Sequence, residues 1–471
     1  MNSSIHKILL IVIIFISGCA TPGGLLKTKT ELLSEKIYTS LDEALLNPYG
    51  VVILKLENDK LTEVPSEIIR FKNLQILHLG YNQLSTLPPE LFKLKKLQQL
   101  YISNNNFWKI PEGINNAKQL EVIDLSYNKL QVVDAYLYDC TILKKLNLAQ
   151  NAIENLPDSI SKLVQLEQLD LFSNKLKQLP SDVVKIISLK SIDLDWNELE
   201  YLPGGFGELI NLEVFKAEKN QLKALPEEFG NLLNLRELKI NDNQLKHLPE
   251  NFGQLKQFDQ INLSNNSLVS LPVSFSNMLH LESIDLSNNQ LEQVADFSSM
   301  DKLQTINLRN NKLSKVNASF FNAPHLQSIH FSINKISTFT GSFLSDNNIV
   351  EIELDMNSLA AIPSQFSNLK KLTTLNLSEN SISELPALVN DMQQLQTLDL
   401  SHNQLEVFYK VVAQHPALSE LNFSHNKIQL LPLEYAKIDK LKRINLSNNP
   451  LYKWHPKQLK SAFKPGVLIL N

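Results

Sequence analysis

The chain has little to crosslink with, little flexible linker and no dominant charge. Its 471 residues include two cysteines, Cys19 and Cys140, so a disulfide framework is excluded in any compartment. Glycine is scarce at 13, which leaves few flexible joints. Lys plus Arg number 45 against 49 Asp plus Glu, a net charge of −4. That balance argues against a nucleic-acid partner and against broad attraction to anionic membranes. The sequence has no Ser-His-Asp arrangement, phosphate-cradling glycine loop or Cys-x-x-Cys pair, and no attached catalytic, ligase or kinase domain is expected. The expectation is therefore a binding protein, not an enzyme, with no cofactor and no metal.

One apolar run stands out, ILLIVIIFI at 8–16, and nothing after residue 19 is apolar enough to span a bilayer. At nine residues the run is less than half the roughly twenty that a spanning helix needs. With Lys7 before it and Ser17-Gly18-Cys19 after it, the run has the layout of a secretory signal. Ile16-Ser17-Gly18-Cys19 also resembles the lipobox of bacterial lipoproteins. That resemblance implies cleavage before Cys19, acylation of its thiol, and residence in the cell envelope outside the cytoplasm, at the outer membrane or cell surface. The membrane would then be touched through the lipid alone. Acyl chains contribute about 0.8 kcal/mol per buried CH2, so two or three suffice for a stable anchor.

The rest of the chain repeats itself. LQILHLGYNQL (74–84) returns as LEVIDLSYNKL (120–130), LEQLDLFSNKL (166–176), LESIDLSNNQL (281–291) and LQTLDLSHNQL (395–405). The marker asparagine recurs from Asn82 to Asn449 at 23-residue steps, with one step of 22 between Asn289 and Asn311. One earlier unit, VVILKLENDKL (51–61), carries Asp59 in the asparagine place, making eighteen units. The pattern matches the leucine-rich repeat, and its length is similar to the Ras-group and bacterial types. The resemblance implies an α/β solenoid: a leucine-rich-repeat horseshoe with a continuous parallel β-sheet on the concave face and short helical or 3-10 turns on the convex face.

The residue pattern supports that fold on its own terms. L-x-L alternates with period two, so each unit offers a short strand with leucines inward, and stacked strands form one parallel sheet. The asparagine amide can bond backbone groups of its own turn and of the next. Proline follows in twelve of the eighteen units, and fixes the backbone on the convex side. It is missing in three successive units, at Ala295, Asn317 and Thr340, where a local change of curvature is expected. Cys140 falls on a buried apolar place. The expected organisation is a signal at 1–18, a lipidated tether at 19–27, a helical cap at 28–50, repeats at 51–455 and a C-terminal cap at 456–471.

Outward strand positions form columns on the concave face, normally Asp or Asn four residues before the marker and Ser two before. Departures from that background are the candidate ligand-binding residues: His78, Tyr81, Tyr101, Tyr127, Phe172, Asp195 and Trp196, followed by a charged stretch with Lys216 and Lys239. Aromatic residues are enriched at binding hot spots. Asp124, Asp170 and Asp193 are not read as a metal site, because Asp285 and Asp399 hold the same place elsewhere. Arg309, His330 and Ile333 mark a second patch. Two functions remain in view: a monomeric lipoprotein that recognises a protein partner or a glycan on its concave face, and a structural or adhesive surface spacer without a pocket.

Overall fold

The computed structural model describes residues 26–453 and 455–470. The expected signal at 1–18, Cys19 and nearly all of the tether lie outside the described residues.

Each unit contributes one short strand, such as Ile76–His78, Gln99–Tyr101 and Ser191–Asp193. The central residue of each strand is buried, and its two neighbours face outward. Together with Ile37–Tyr38 at one end and Leu468–Leu470 at the other, the strands form a single 20-stranded parallel sheet. Register is constant, with Leu77 opposite Leu100 and Leu100 opposite Ile123. The 22-residue step does not disturb it, since Ile284 still pairs with Ile306. The residue is lost from the convex path, where this unit runs from one sheet strand to the next with neither a 3-10 helix nor a convex strand among the described residues.

Elsewhere the convex side carries 3-10 turns such as Ser181–Lys185 and Glu227–Asn231. They follow Pro180 and Pro226, whose φ of −62° and −58° suit the entry to a turn. Phe206, Phe229, Phe252 and Phe275 stack beneath four of these turns with centroids 6.2–6.4 Å apart. Gly207, Gly230 and Gly253 follow three of these rings. A Cβ on Gly230 would come within 2.2 Å of the Asn251 carbonyl, so glycine is what lets neighbouring turns close up.

The proline-free units differ in a way that follows from proline chemistry. Asn317 and Thr340 each have the N–H that proline lacks, and Lys315–Asn317 pairs with Thr338–Thr340 as a second, convex parallel ladder. A similar two-residue ladder joins Glu384–Leu385 to Val407–Phe408.

The N-terminal cap is more than helical. Helices Lys29–Leu32 and Leu41–Leu46 flank the strand Ile37–Tyr38, which pairs with Ile53–Leu54 and covers the first edge of the sheet. At the other end, helix His455–Ala462 precedes the last strand. Cys140 is buried and donates its thiol toward the Ile114 carbonyl, and burial pushes its pKa up to about 11. No helix among the described residues is long and apolar enough to cross a membrane.

Candidate concave recognition face

The marker asparagines form the rail on which the face is mounted. Asn197 Oδ1 accepts the Leu176 N–H at 3.0 Å, and its Nδ2 donates to the carbonyls of Leu171 and Leu194 at 2.9 and 3.0 Å. The same set recurs from Asn82 to Asn449. Each side chain thus satisfies the turn that ends its own strand and ties it to the preceding unit. The residue just before each marker is left-handed, with φ between 53° and 62° along the whole column. Asparagine suits this conformation and recurs there; Tyr81, Tyr127, Trp196 and the β-branched Ile333 adopt it at a conformational cost.

Strand chemistry also explains the Asp and Asn background. Asp124, Asp193, Asp285 and Asp399 each accept the N–H two residues on, at 2.8–3.1 Å. These carboxylates are structural, and among the described residues no group of three or more His, Cys, Asp or Glu is placed to hold a metal. His78, Tyr101, Lys216 and Lys239 occupy the same column without making that bond, and the lysines have no acceptor to make it with. Where Lys216 does so, Asp195 takes over, accepting the Glu218 N–H at 2.6 Å.

The predicted residues fall into two groups. In the first, the His78 and Tyr101 rings stack with centroids 4.4 Å apart and planes 8° from parallel. The Tyr101 hydroxyl donates to Gln99 Oε1 at 3.0 Å, and His78 Nδ1 lies 3.2 Å from the Glu57 carboxylate. Burial holds the His78 pKa below the ordinary histidine value against the opposing pull of Glu57, and burial raises that of Tyr101. The stack borders a cavity of about 580 Å3 between cap and sheet. Leu32 and Leu33 of the cap helix, Ile37, Ile53, Ile76 and Val122 supply its apolar lining, and Lys29, Glu35, Glu121 and Lys145 stand around it. Leu32, Ile53 and Ile76 form a small apolar cluster of their own, with Tyr101 packed against it.

None of these aliphatic residues was singled out from sequence. A signal existed: the position six before the marker is Ile53, Ile76 and Val122 in early units but Lys145, Gln168 and Ser191 later. The contribution of the cap helix had no such signal, because its placement over the strands is tertiary. Tyr81 and Tyr127 are exposed at the strand exits, two units apart, and do not join the cavity lining.

The second group is electrostatic. The Lys216 ammonium sits between Asp193 at 3.7 Å and Glu237 at 3.4 Å, and Lys239 reaches Glu237 at 4.0 Å. The Lys219 ammonium lies 4.0 Å above the Trp196 ring. Asp195 is buried; burial first, then the Asp193 carboxylate, pushes its pKa up to about 7. Phe172 is half-buried, its N–H bonded to Asp170. In the second patch His330 Nδ1 contacts Glu353 at 2.8 Å and Arg309 approaches Asp355 at 3.9 Å, so its charges are also paired internally.

Comparison with known proteins agrees with this geometry. Residues 52–135 match a leucine-rich repeat region, residues 118–176, 262–313 and 347–405 a leucine rich repeat, and residues 234–255 a further leucine rich repeat model. No curated protein matches the sequence. Among solved structures, a leucine-rich-repeat protein of Leptospira interrogans is 28% identical, with a TM-score of 0.57, over 92% of this chain and 99% of that one. The leucine-rich-repeat ectodomain of the Arabidopsis thaliana membrane receptor kinase GASSHO1/SCHENGEN3, solved with Casparian strip integrity factor 2, is 29% identical. It is matched over 88% of this chain and 55% of that one, with a TM-score of 0.62. Drosophila Toll, in its complex with Spatzle, is 26% identical over 84% of this chain and 59% of that one, with a TM-score of 0.64. The chain therefore spans little more than half of these two receptor chains. With eighteen units on one parallel sheet, seventeen of them railed by asparagine, this chain belongs to the leucine-rich-repeat proteins.

Proposed function

We propose that this protein is an envelope-anchored recognition module that holds a protein partner on the N-terminal half of its concave face. An apolar side chain of the partner fills the cavity between cap and sheet and rests on the His78–Tyr101 stack. The observation that carries this reading is the cavity itself. Ligand sites are concave, mostly apolar and edged by a few polar groups, and about 580 Å3 is within their usual size range. Complexes of similar ectodomains with protein or peptide ligands give it support by analogy.

The exposed rings Tyr81, Tyr127 and Trp196, with Phe172, Asp195, Lys216 and Lys239, form the remainder of the proposed contact surface. A glycan would use the same rings. No chemistry beyond binding is assigned to the face. Anchoring through an acylated Cys19 is part of the same proposal, resting on the Ile16–Cys19 motif.

Four experiments test it. The full chain is used to capture a partner, and binding is titrated again after Tyr101→Ala and Trp196→Ala. Unchanged affinity in both variants would move the site off this face, and tolerance of an in-register deletion of two units would favour the spacer. Metabolic labelling with a radioactive fatty acid should mark the chain and fail in Cys19→Ser. Digestion by protease added to intact cells reports whether the face looks outward.

A further inference from the structure

The flank by which the chain enters its strands carries an apolar ladder that the recognition face does not use. Ten residues before the marker, the chain places Lys72, Lys95, Lys118 and Thr141 in early units and Lys256, Leu279, Asp301 and Lys370 in later ones. In four consecutive units between them it places Val164, Ile187, Ile210 and Leu233, each 56–59% exposed. At strand spacing of roughly 4.8 Å, four units cover about 20 Å of the stack. Consecutive exposed aliphatic residues of this extent mark an association surface rather than the scattered apolar residues every protein shows.

The backbone beneath the ladder is held firmly. Asn211 Nδ2 donates to the Ile187 carbonyl and Asn234 Nδ2 to the Ile210 carbonyl, both at 2.8 Å, and Ser188 Oγ donates to the Leu166 carbonyl at 2.8 Å. The flank therefore presents Ile187 and Ile210 with the carbonyls behind them already satisfied.

Charges on either side identify the occupant. Toward the concave face the adjoining column reads Glu167, Lys190, Glu213, Arg236; toward the convex face Lys185 is followed by Glu208. Take a two-fold axis lying in the contact plane, across the stack and midway between Ile187 and Ile210. It reverses the order of units while keeping each column opposite itself. Ile187 then meets Ile210 of the second copy, and Val164 meets Leu233. Glu167 meets Arg236, Lys190 meets Glu213, and Lys185 meets Glu208. Every one of these charges faces its opposite. Lys190 also pairs with Glu167 within the chain at 3.1 Å and Lys185 with Asp182 at 2.8 Å, whereas Glu213 and Arg236 have no intrachain ion-pair partner among the described residues, so an external one is open to them.

We infer that two copies of this chain associate antiparallel through this flank, in place of the monomer expected from sequence. The contact is isologous and leaves both concave faces open. Its small extent suits a concentration-dependent dimer, not an obligate one.

Sedimentation equilibrium of the full chain carrying Cys19→Ser, so that no lipid contributes, should show a reversible monomer–dimer equilibrium. Ile210→Asp should abolish it. Glu213→Lys, which sets lysine against Lys190 of the other copy, should weaken it roughly tenfold or more. Lys190→Glu with Glu213→Lys together should restore it, because the swapped pair is again opposite under the two-fold. Circular dichroism of each variant should match the parent, all three sites being on the surface. A monomer at every concentration overturns the inference. So does association that survives Ile210→Asp, or that the double swap fails to rescue.

Discussion

The two ends of the candidate site use the same strand positions for opposite purposes. At the cap end, the column holding His78 and Tyr101 forms one wall of an apolar cavity, and the rings stack on each other. Five units further on, the same column holds Lys216 and Lys239, and the charges are bridged to Asp193 and Glu237. A cavity gains free energy when an apolar group leaves water to fill it. An exposed, internally paired charge network has already made its contacts and adds little more on binding. The repeat supplies one scaffold, and substitutions on it decide whether a stretch borders an apolar cavity or carries an internally paired charge network.

That contrast can be broken or sharpened by four measurements. The scaffold should be equally stiff in both places. Asn128→Ala near the cavity and Asn197→Ala in the charged stretch each strand several buried backbone groups, so both should lower stability by about 3 kcal/mol in urea unfolding. A loss at only one of them would mean that the rail is not uniform. Binding should separate the regions: Tyr101→Ala is expected to cost the captured partner about 2 kcal/mol, roughly thirtyfold in affinity, whereas Lys239→Ala changes it by less than about threefold. Equal losses would erase the distinction.

The third measurement concerns protons. Asp195 has its folded pKa raised to about 7, above its value of 3.8 in an unfolded chain. An acid shifted upward favours the fold at low pH, and this contribution is lost as pH climbs from about 4 through 7. Melting temperature should therefore fall between pH 5 and 8 in the parent protein and fall less in Asp195→Asn, which keeps an oxygen for the Glu218 N–H. An equal slope in both would show that Asp195 ionises freely. The smallest effect is expected at His78, whose NMR titration midpoint should lie below that of a free histidine. Glu57→Gln should lower it further, since the carboxylate favours the imidazolium. A rise would mean that burial is not what holds it down.

Much of this was legible in sequence because a repeat is its own alignment. The 23-residue period, the alternating leucines and the marker asparagines specify strand, register and rail without outside information. Cys140 could be placed as buried from its position alone. The left-handed residue before each marker was not legible, because aromatic, acidic and aliphatic residues all occupy it and mask the asparagine preference. The Asp and Asn background was recognised as background, but its cause, a bond to the N–H two residues on, needed coordinates. The flank ladder was not legible for a different reason: its residues sit in the turn before each strand, outside the outward-facing strand columns.

Sequence by itself determined the solenoid. Identical short-range patterns at fixed spacing can bury their leucines in only one common way, each unit against the next. It also determined which concave positions depart from the background. Tertiary structure alone decided what those departures do. Whether two rings stack, whether a lysine is already paired, and whether a cap helix lies over Ile53 and Ile76 to enclose a cavity depend on neighbours 23 or more residues away. Those distances are set by packing, which no local pattern encodes.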